Sequence, residues 1–254
     1  MRILWTLLCI LTLPPLFAAA QSLPQSGDTL TAEQIAARLV EGNRRRHDDL
    51  QAYTGEREYH LLYTGFPGRH EADLVIQVNY QAPNEKQFTI LSQSGSGVIV
   101  NRVFKKLLET EKETADAESQ ERSAVSPENY DFELLGREEL NGRPSYILKV
   151  EPRTDNKLLY RGKIWVDASD FAVAKIEAEP AHKPSFWISN TIIHHTYGKI
   201  GEFWLPEHNE STSEVRLGGH AVLSIQYREY RIFSEAKPRG TATVAESSGQ
   251  LTGH

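Results

Sequence analysis

The chain has one cysteine, Cys9, and it lies in an apolar run near the N-terminus. The rest of the chain has none. That excludes a disulfide, a thiol nucleophile and a cysteine-ligated metal from the folded part, so stability must come from an apolar core. Positive charge is not in surplus. The 28 Lys and Arg face 34 Asp and Glu, for a net charge of −6, and nucleic acid is therefore not an expected partner. After the first residues no stretch approaches the roughly 18 consecutive apolar residues of a membrane-spanning helix. Catalytic signatures are missing too. The chain contains no H-E-x-x-H, no G-x-S-x-G and no Gly-rich phosphate loop. Gly95-Ser96-Gly97 has the wrong spacing for a nucleophile elbow and reads as a link before a helix. His194-His195 is the only adjacent histidine pair, and neighbours on a strand point to opposite faces. A hydrolase would need one of them beside a carboxylate and a pocket, assembled in space. The carboxylates at 109–121 read as a solvated face. The expectation is no enzyme, no metal and no cofactor.

What is present begins with an export signal. Arg2 supplies the positive end, Ile3 to Phe17 the apolar run, and Ala18-Ala19-Ala20 the small residues before a cleavage point near Ala20. Cys9 sits inside the run, between Leu8 and Ile10, and not at its end where lipid would be attached. The expected location is periplasmic. Residues 1–20 are then a signal peptide, 21–30 a linker, 31–235 one folded domain, and 236–254 a disordered tail rich in Ser, Thr, Gly and Ala.

Thr31 and Gln34 have the spacing of a capping box, and Ile35, Ala36, Leu39 and Val40 follow at helical spacing. After Gln51 the period becomes two. Tyr53, Arg57, Tyr59, Leu61 and Tyr63 alternate with mainly polar residues, and so do Leu74, Ile76, Val78 and Tyr80, with Leu62 and Val75 as the apolar exceptions. Phe88, Ile90 and Leu91 form a third strand. Residues 98–114 read as a second helix, with Ile99, Val103, Leu107 and Leu108 on one stripe. From Asn129 a meander follows, with Asn141-Gly142 as its strongest hairpin signal. About ten strands and two helical segments result, with local connections throughout.

Ten strands with one apolar face must close, stack or be covered. The economical answer is a mainly β fold: a strongly curved antiparallel sheet, or half-barrel, covered by a helical lid. Such a sheet can enclose more than its own side chains. Ile76, Val78, Tyr80, Phe88, Trp165, Trp187 and Ile225 are expected to line the cavity, with Val103, Leu107 and Leu108 on the lid. Arg57 shares a face with tyrosines and Leu61. An inward charge must be paired or reach water, so it contacts a polar head group, the lid or a nearby Glu.

The segment Gly162–Asp167, the run Pro184-Ser185-Phe186-Trp187 and the run Phe203-Trp204-Leu205-Pro206 carry a likeness to a known family. The N-terminal helix, the strand ending at Tyr80 and the Pro83-Asn84 turn fit the same plan. Over about residues 31–234 the chain resembles the LolA-like, or outer-membrane lipoprotein-sorting, proteins. The resemblance implies a non-catalytic periplasmic carrier, most simply a monomer. It would bind acyl chains of lipoproteins or another lipid, between inner-membrane donor and outer-membrane acceptor proteins. The alternative it implies is an envelope-stress sensor of the same fold. One departure stands out. The family's carrier has an arginine directly before the Pro-Asn turn that helps hold the lid, and this chain has Ala82, which implies different lid control.

Overall fold

The computed structural model describes residues 30–182, 188–216 and 218–234. The expected signal peptide, nearly all of the linker, the tail and Trp187 lie outside them.

Thr31 caps helix α1 (Ala32–Asp49). Its side-chain oxygen accepts from the Gln34 amide at 3.3 Å, and the Gln34 side chain accepts from the Thr31 amide at 2.9 Å. Ile35, Ala36 and Leu39 of this helix are fully buried. The chain passes directly into β1 (Leu50–Gly65), then β2 (Gly68–Gln81) and β3 (Glu85–Gly95). A helical passage comes next: a wide π turn over Ile99–Phe104, α2 (Lys105–Glu113) and α3 (Ala117–Ser123). Helix α3 occupies the end of the charged run that reads as a solvated face in the sequence. Asp116 caps it, accepting from the Ser119 amide at 2.9 Å. The meander then runs β4 (Tyr130–Leu140), β5 (Arg143–Pro152), β6 (Tyr160–Asp167), β7 (Val173–Pro180), β8 (Ile188–Ile200), β9 (Phe203–Val215) and β10 (Gly219–Ser234). Asn141 and Gly142 turn β4 into β5 with φ of 52° and 75°, the left-handed pair this turn requires.

All ten strands form one antiparallel, open, curved sheet in the order β3-β2-β1-β10-β9-β8-β7-β6-β5-β4. The expected fold class is the one found. One strand pairing departs from the expected local plan. β1 and β10, at opposite ends of the chain, pair near the middle of the sheet. Each would otherwise present a long edge of unpaired backbone groups, and joining them satisfies both.

The register explains the two faces. One cross-strand row reads Gln93, Leu74, Tyr59, Ile225, Asn209, His195, Ile176, Ile164, Leu148 and Leu134, from β3 to β4. Shifted by one residue, the row on the other face reads Ser94, Asp73, His60, Ser224, Glu210, His194, Glu177, Lys163, Lys149 and Glu133. The first face is mostly apolar and takes the helices. The second is mostly charged or polar and largely faces water. This is the alternation expected of an antiparallel sheet covered on one side.

The covered face has two apolar blocks. Ile99, Val100 and Phe104 of the π turn pack on Tyr53, Tyr59, Leu61, Leu74, Ile76, Val78 and Tyr80, with Leu108 of α2 beside them. At the other end Tyr146, Leu148, Val150, Ile164 and Val166 are buried. There α1 is tied down by Arg38, which lies 5.1 Å over the Phe171 ring, and Phe171 stacks on Tyr146. Between the blocks, Ile193, His195, Asn209, Ser211, Leu223, Ile225 and Tyr227 are only half-buried.

Candidate functional site

Arg57 stands at the border between the first block and the half-buried strip. It is 7% exposed, and period two places it on the covered face beside Tyr59. Its guanidinium donates to both carboxylate oxygens of Glu111, at 2.7 and 3.1 Å, and Lys86 donates to the same carboxylate at 2.9 Å. The guanidinium also lies 5.1 Å over the Tyr227 ring and 5.8 Å over Phe88. Burial alone would raise the Glu111 pKa. The hydrogen bonds and charges of Arg57 and Lys86 outweigh it and hold the carboxyl below its usual range. Burial works against the Arg57 charge as well, and Glu111 more than restores it. Helix α2 has no buried residue of its own. It is held by Leu108, by the preceding Phe104 and by this ion pair.

The expected cavity residues fall into three groups. Ile76, Val78 and Tyr80 are buried on the covered face, with Phe88 and Ile225 packed against the same cluster. Trp165 is not with them. It pairs directly with Ile147 and Lys175, so it lies on the opposite face. There its indole N–H donates to Glu138 at 2.7 Å under the Lys175 ammonium, which lies 4.4 Å from the ring. Both parities of the run Ile164-Trp165-Val166 are apolar, so alternation alone gives no face for it. Trp187 is outside the described residues.

The lid stripe is also rotated. Leu108 packs against the cluster on the sheet, but Val103 and Leu107 are each 37% exposed, and Phe104 at 1% takes the inward place. The physical reason is the π turn: each wide turn takes more residues than an α turn and shifts the phase of the residues after it. The inward positions are then Phe104, Leu108 and Glu111, four and three residues apart. That spacing was a usable signal for Glu111, which otherwise reads as part of a solvated charge run.

His194 and His195 point to opposite faces, as adjacent strand residues must. His194 approaches Glu177 at 3.9 Å on the wet face. His195 stacks on Tyr197 at 4.4 Å, and its Nε2 has no hydrogen-bond partner among the described residues. Burial, with the nearby charges of His208 and Arg57, lowers its pKa to about 4. No group of three His, Cys, Asp or Glu among the described residues is placed to hold a metal, and none of the described helices is long and apolar enough to cross a membrane. Two wider grooves, of about 430 and 570 Å³, are lined mainly by charged and polar side chains such as Lys149, Arg161, Glu177 and Asp155.

A family model described as "Uncharacterized protein" matches residues 105–237, from α2 through the whole meander. The chain belongs to this family. No curated protein matches it. Among solved structures it is similar to a DUF1329 family protein from Desulfovibrio piger, at 15% identity and a TM-score of 0.39 over 80% of this chain and 94% of that one. It is similar to an outer membrane lipoprotein-sorting protein domain from Vibrio parahaemolyticus, at 11% identity and a TM-score of 0.39 over 80% and 94%. It is also similar to a LolA superfamily protein from Nitrosomonas europaea, at 13% identity and a TM-score of 0.32 over 81% and 94%.

Proposed function

We propose that the protein is a non-catalytic periplasmic carrier that takes the acyl chains of a lipoprotein or another lipid onto the covered face of its sheet. The observation that carries this reading is the way that face is covered. Apolar side chains of β1, β2 and β10 lie beneath the π turn and helix α2, and α2 has no buried residue of its own and is pinned by the ion pair of Arg57 and Glu111. Beside it runs a half-buried strip that includes Ile193, Leu223 and Ile225. An acyl chain of about 15 methylenes would gain roughly 12 kcal/mol on burial, at about 0.8 kcal/mol each. Association costs roughly 4–15 kcal/mol, so the two nearly cancel. That balance suits a cargo that is taken up and given away, between a donor at the inner membrane and an acceptor at the outer one. Ile76, Val78, Tyr80, Phe88 and Ile225 would meet the chain once the helix lifts.

The test is direct. The full chain, expressed with its signal, is purified from the periplasm, extracted with solvent and analysed by mass spectrometry. It is also titrated with a fluorescent acyl probe. Reproducible acyl species and saturable probe uptake are expected. No acyl species and no probe uptake, with capture of an envelope protein in their place, would replace the carrier by an envelope-stress sensor.

A further inference from the structure

Arg46 stands in the last turn of α1 and lines a cavity of about 170 Å³ with Asn43, Val125, Tyr160 and Ile176. Its guanidinium donates to the carbonyls of Asp170 and Phe171 at 2.9 and 3.0 Å and to Asn43 Oδ1 at 2.8 Å. All these acceptors are neutral, and a guanidinium carries more N–H groups than they use. Among the described residues no carboxylate pairs with Arg46. Asp170 and Asp167 act on it through space, but both are engaged elsewhere. Asp167 accepts from Arg143 at 2.6 and 3.0 Å. Asp170 accepts from Lys199 at 2.8 Å, Trp204 at 3.0 Å and Arg143 at 3.1 Å. Arg46, Arg143 and Lys199 thus face Asp167 and Asp170, and one positive charge is left unmatched. Burial lowers the Arg46 pKa, but an arginine stays charged at pH 7.

Tyr160 brings a second donor to the same wall. Its hydroxyl is buried without a hydrogen-bond partner among the described residues, and burial keeps it protonated at pH 7. Buried polar atoms are nearly always paired. An oxygen anion in this space would meet both the unmatched charge and the orphan hydroxyl. Charge and size narrow the anion. One unmatched positive charge suits a monoanion, whereas a phosphate monoester carries about −1.5 to −2 at pH 7. A cavity of about 150 Å³ holds benzene, with about six non-hydrogen atoms. A phosphodiester with its two carbon substituents already exceeds that count. A carboxylate leaves room for the first carbons of an alkyl chain, against Val125 and Ile176. Tyr197, also in the wall, stacks on His195 of the half-buried strip at 4.4 Å, so the cavity and the strip are neighbours.

We propose that the cavity against α1 binds the carboxylate of a free fatty acid. Arg46 supplies the counter-charge, and the Tyr160 hydroxyl donates to a carboxylate oxygen. The alkyl chain leaves past Tyr197 and runs along the half-buried strip by Ile193, Leu223 and Ile225. This rests on the lipid-carrier reading of the same face.

The experiment is displacement of the neutral fluorescent probe N-phenylnaphthylamine from the full chain at pH 7, below micelle formation. Decanoate and 1-decanol share a chain and differ in the end group. Decanoate is expected to displace the probe at roughly tenfold lower concentration, the worth of about one charge-assisted hydrogen bond. On an apolar surface alone the order is the reverse, because the carboxylate gives up more hydration. Arg46→Gln is expected to abolish the margin, while 1-decanol displaces the probe as before and shows that the variant folds. Should Arg46→Gln fail to fold, Tyr160→Phe carries the test. It deletes only an unpartnered hydroxyl, and the margin is expected to fall to about threefold. Decanoate no better than 1-decanol, decyl phosphate as strong as decanoate, or an unchanged margin in either folded variant overturns the inference and leaves the carrier reading standing. No binding of the probe, with none of decanoate by calorimetry, overturns both.

Discussion

Exchange of Glu111 for Gln would keep the shape of the side chain and remove its charge. Glu111 now accepts three charge-assisted hydrogen bonds, from Arg57 at 2.7 and 3.1 Å and from Lys86 at 2.9 Å. A Gln carbonyl keeps at most one of the two from Arg57 and leaves a guanidinium with 8% side-chain exposure unpaired. Breaking a buried pair from one side costs about 3–5 kcal/mol. Glu111 is 28% exposed, so the lower end applies, about 3 kcal/mol. The cost falls on the state with α2 down, because Arg57 regains water when the helix lifts. Amide hydrogen exchange over Lys105–Glu113 at pH 7 should therefore accelerate by roughly a hundredfold. Lys86→Met removes one partly exposed bond and leaves the Arg57 pair intact, so its effect should stay below about 1 kcal/mol. The acid dependence has a defined sign. The folded-state pKa of Glu111 is depressed below 4.5. The contribution is complete above the unfolded value and is lost as pH falls through the folded one. The helix should thus stay fastened at pH 6 and loosen only in stronger acid. Exchange in Glu111→Gln within twofold of the parent protein, or Lys86→Met as damaging as Glu111→Gln, would refute the reasoning.

The π turn makes an ordered prediction. Phe104→Ala should cost about 3–5 kcal/mol in urea unfolding, whereas Val103→Ala and Leu107→Ala should cost about 1 kcal/mol or less; equal losses would refute the phase described for the lid. His195 predicts a pH slope. Its pKa falls from 6.5 to about 4 in the folded state, so the unfolded chain binds the extra proton between those values and stability drops as pH falls through that window. Between pH 8 and pH 5 this group accounts for roughly 2 kcal/mol, at about 1.36 kcal/mol per pH unit. His195→Phe should lose that much less stability over the same range, and an unchanged slope would mean that the ring is not held neutral.

The strands were legible because each carries a polar back row. Asp73, His60, Glu177 and Lys163 alternate with Leu74, Tyr59, Ile176 and Ile164, and only one assignment of faces leaves the charges wet. The Asn141-Gly142 turn and the Thr31 capping box were legible for equally local reasons. What escaped was non-local or two-valued. The β1–β10 pairing joins residues too far apart for any turn signal. Trp165 sits in a run apolar on both parities, and a charge pair outside the run, Glu138 and Lys175, decides its face. The lid phase depends on a wide turn that the periodicity of Ile99, Val103 and Leu107 conceals. Arg57 was conspicuous in the sequence as a charge on a greasy face. Its partner was not, because Glu111 becomes unusual only once Phe104 and Leu108 are known to point inward.

The covered face is apolar at both ends and polar in the middle, and that pattern explains why the helices stop where they do. From β2 to β10 the row reads Leu74, Tyr59, Ile225, and from β7 to β5 it reads Ile176, Ile164, Leu148. Asn209 and His195 stand between. Leucines at those two positions would make one continuous apolar band, which a helix or a second copy of the chain would cover permanently. Polar side chains cannot be covered without partners, so each helix ends at its own block and the strip between stays half-buried. The residues that keep the covers apart are then the ones able to offer hydrogen bonds to an entering molecule. Arg57 marks the same border from the other side. Its charge is tolerated beneath α2 only while Glu111 is there, and water serves it equally well when α2 lifts. A cover fastened by such a contact gives up less on opening than one fastened by packing alone, because the paired charges recover their hydration as the apolar contacts are lost.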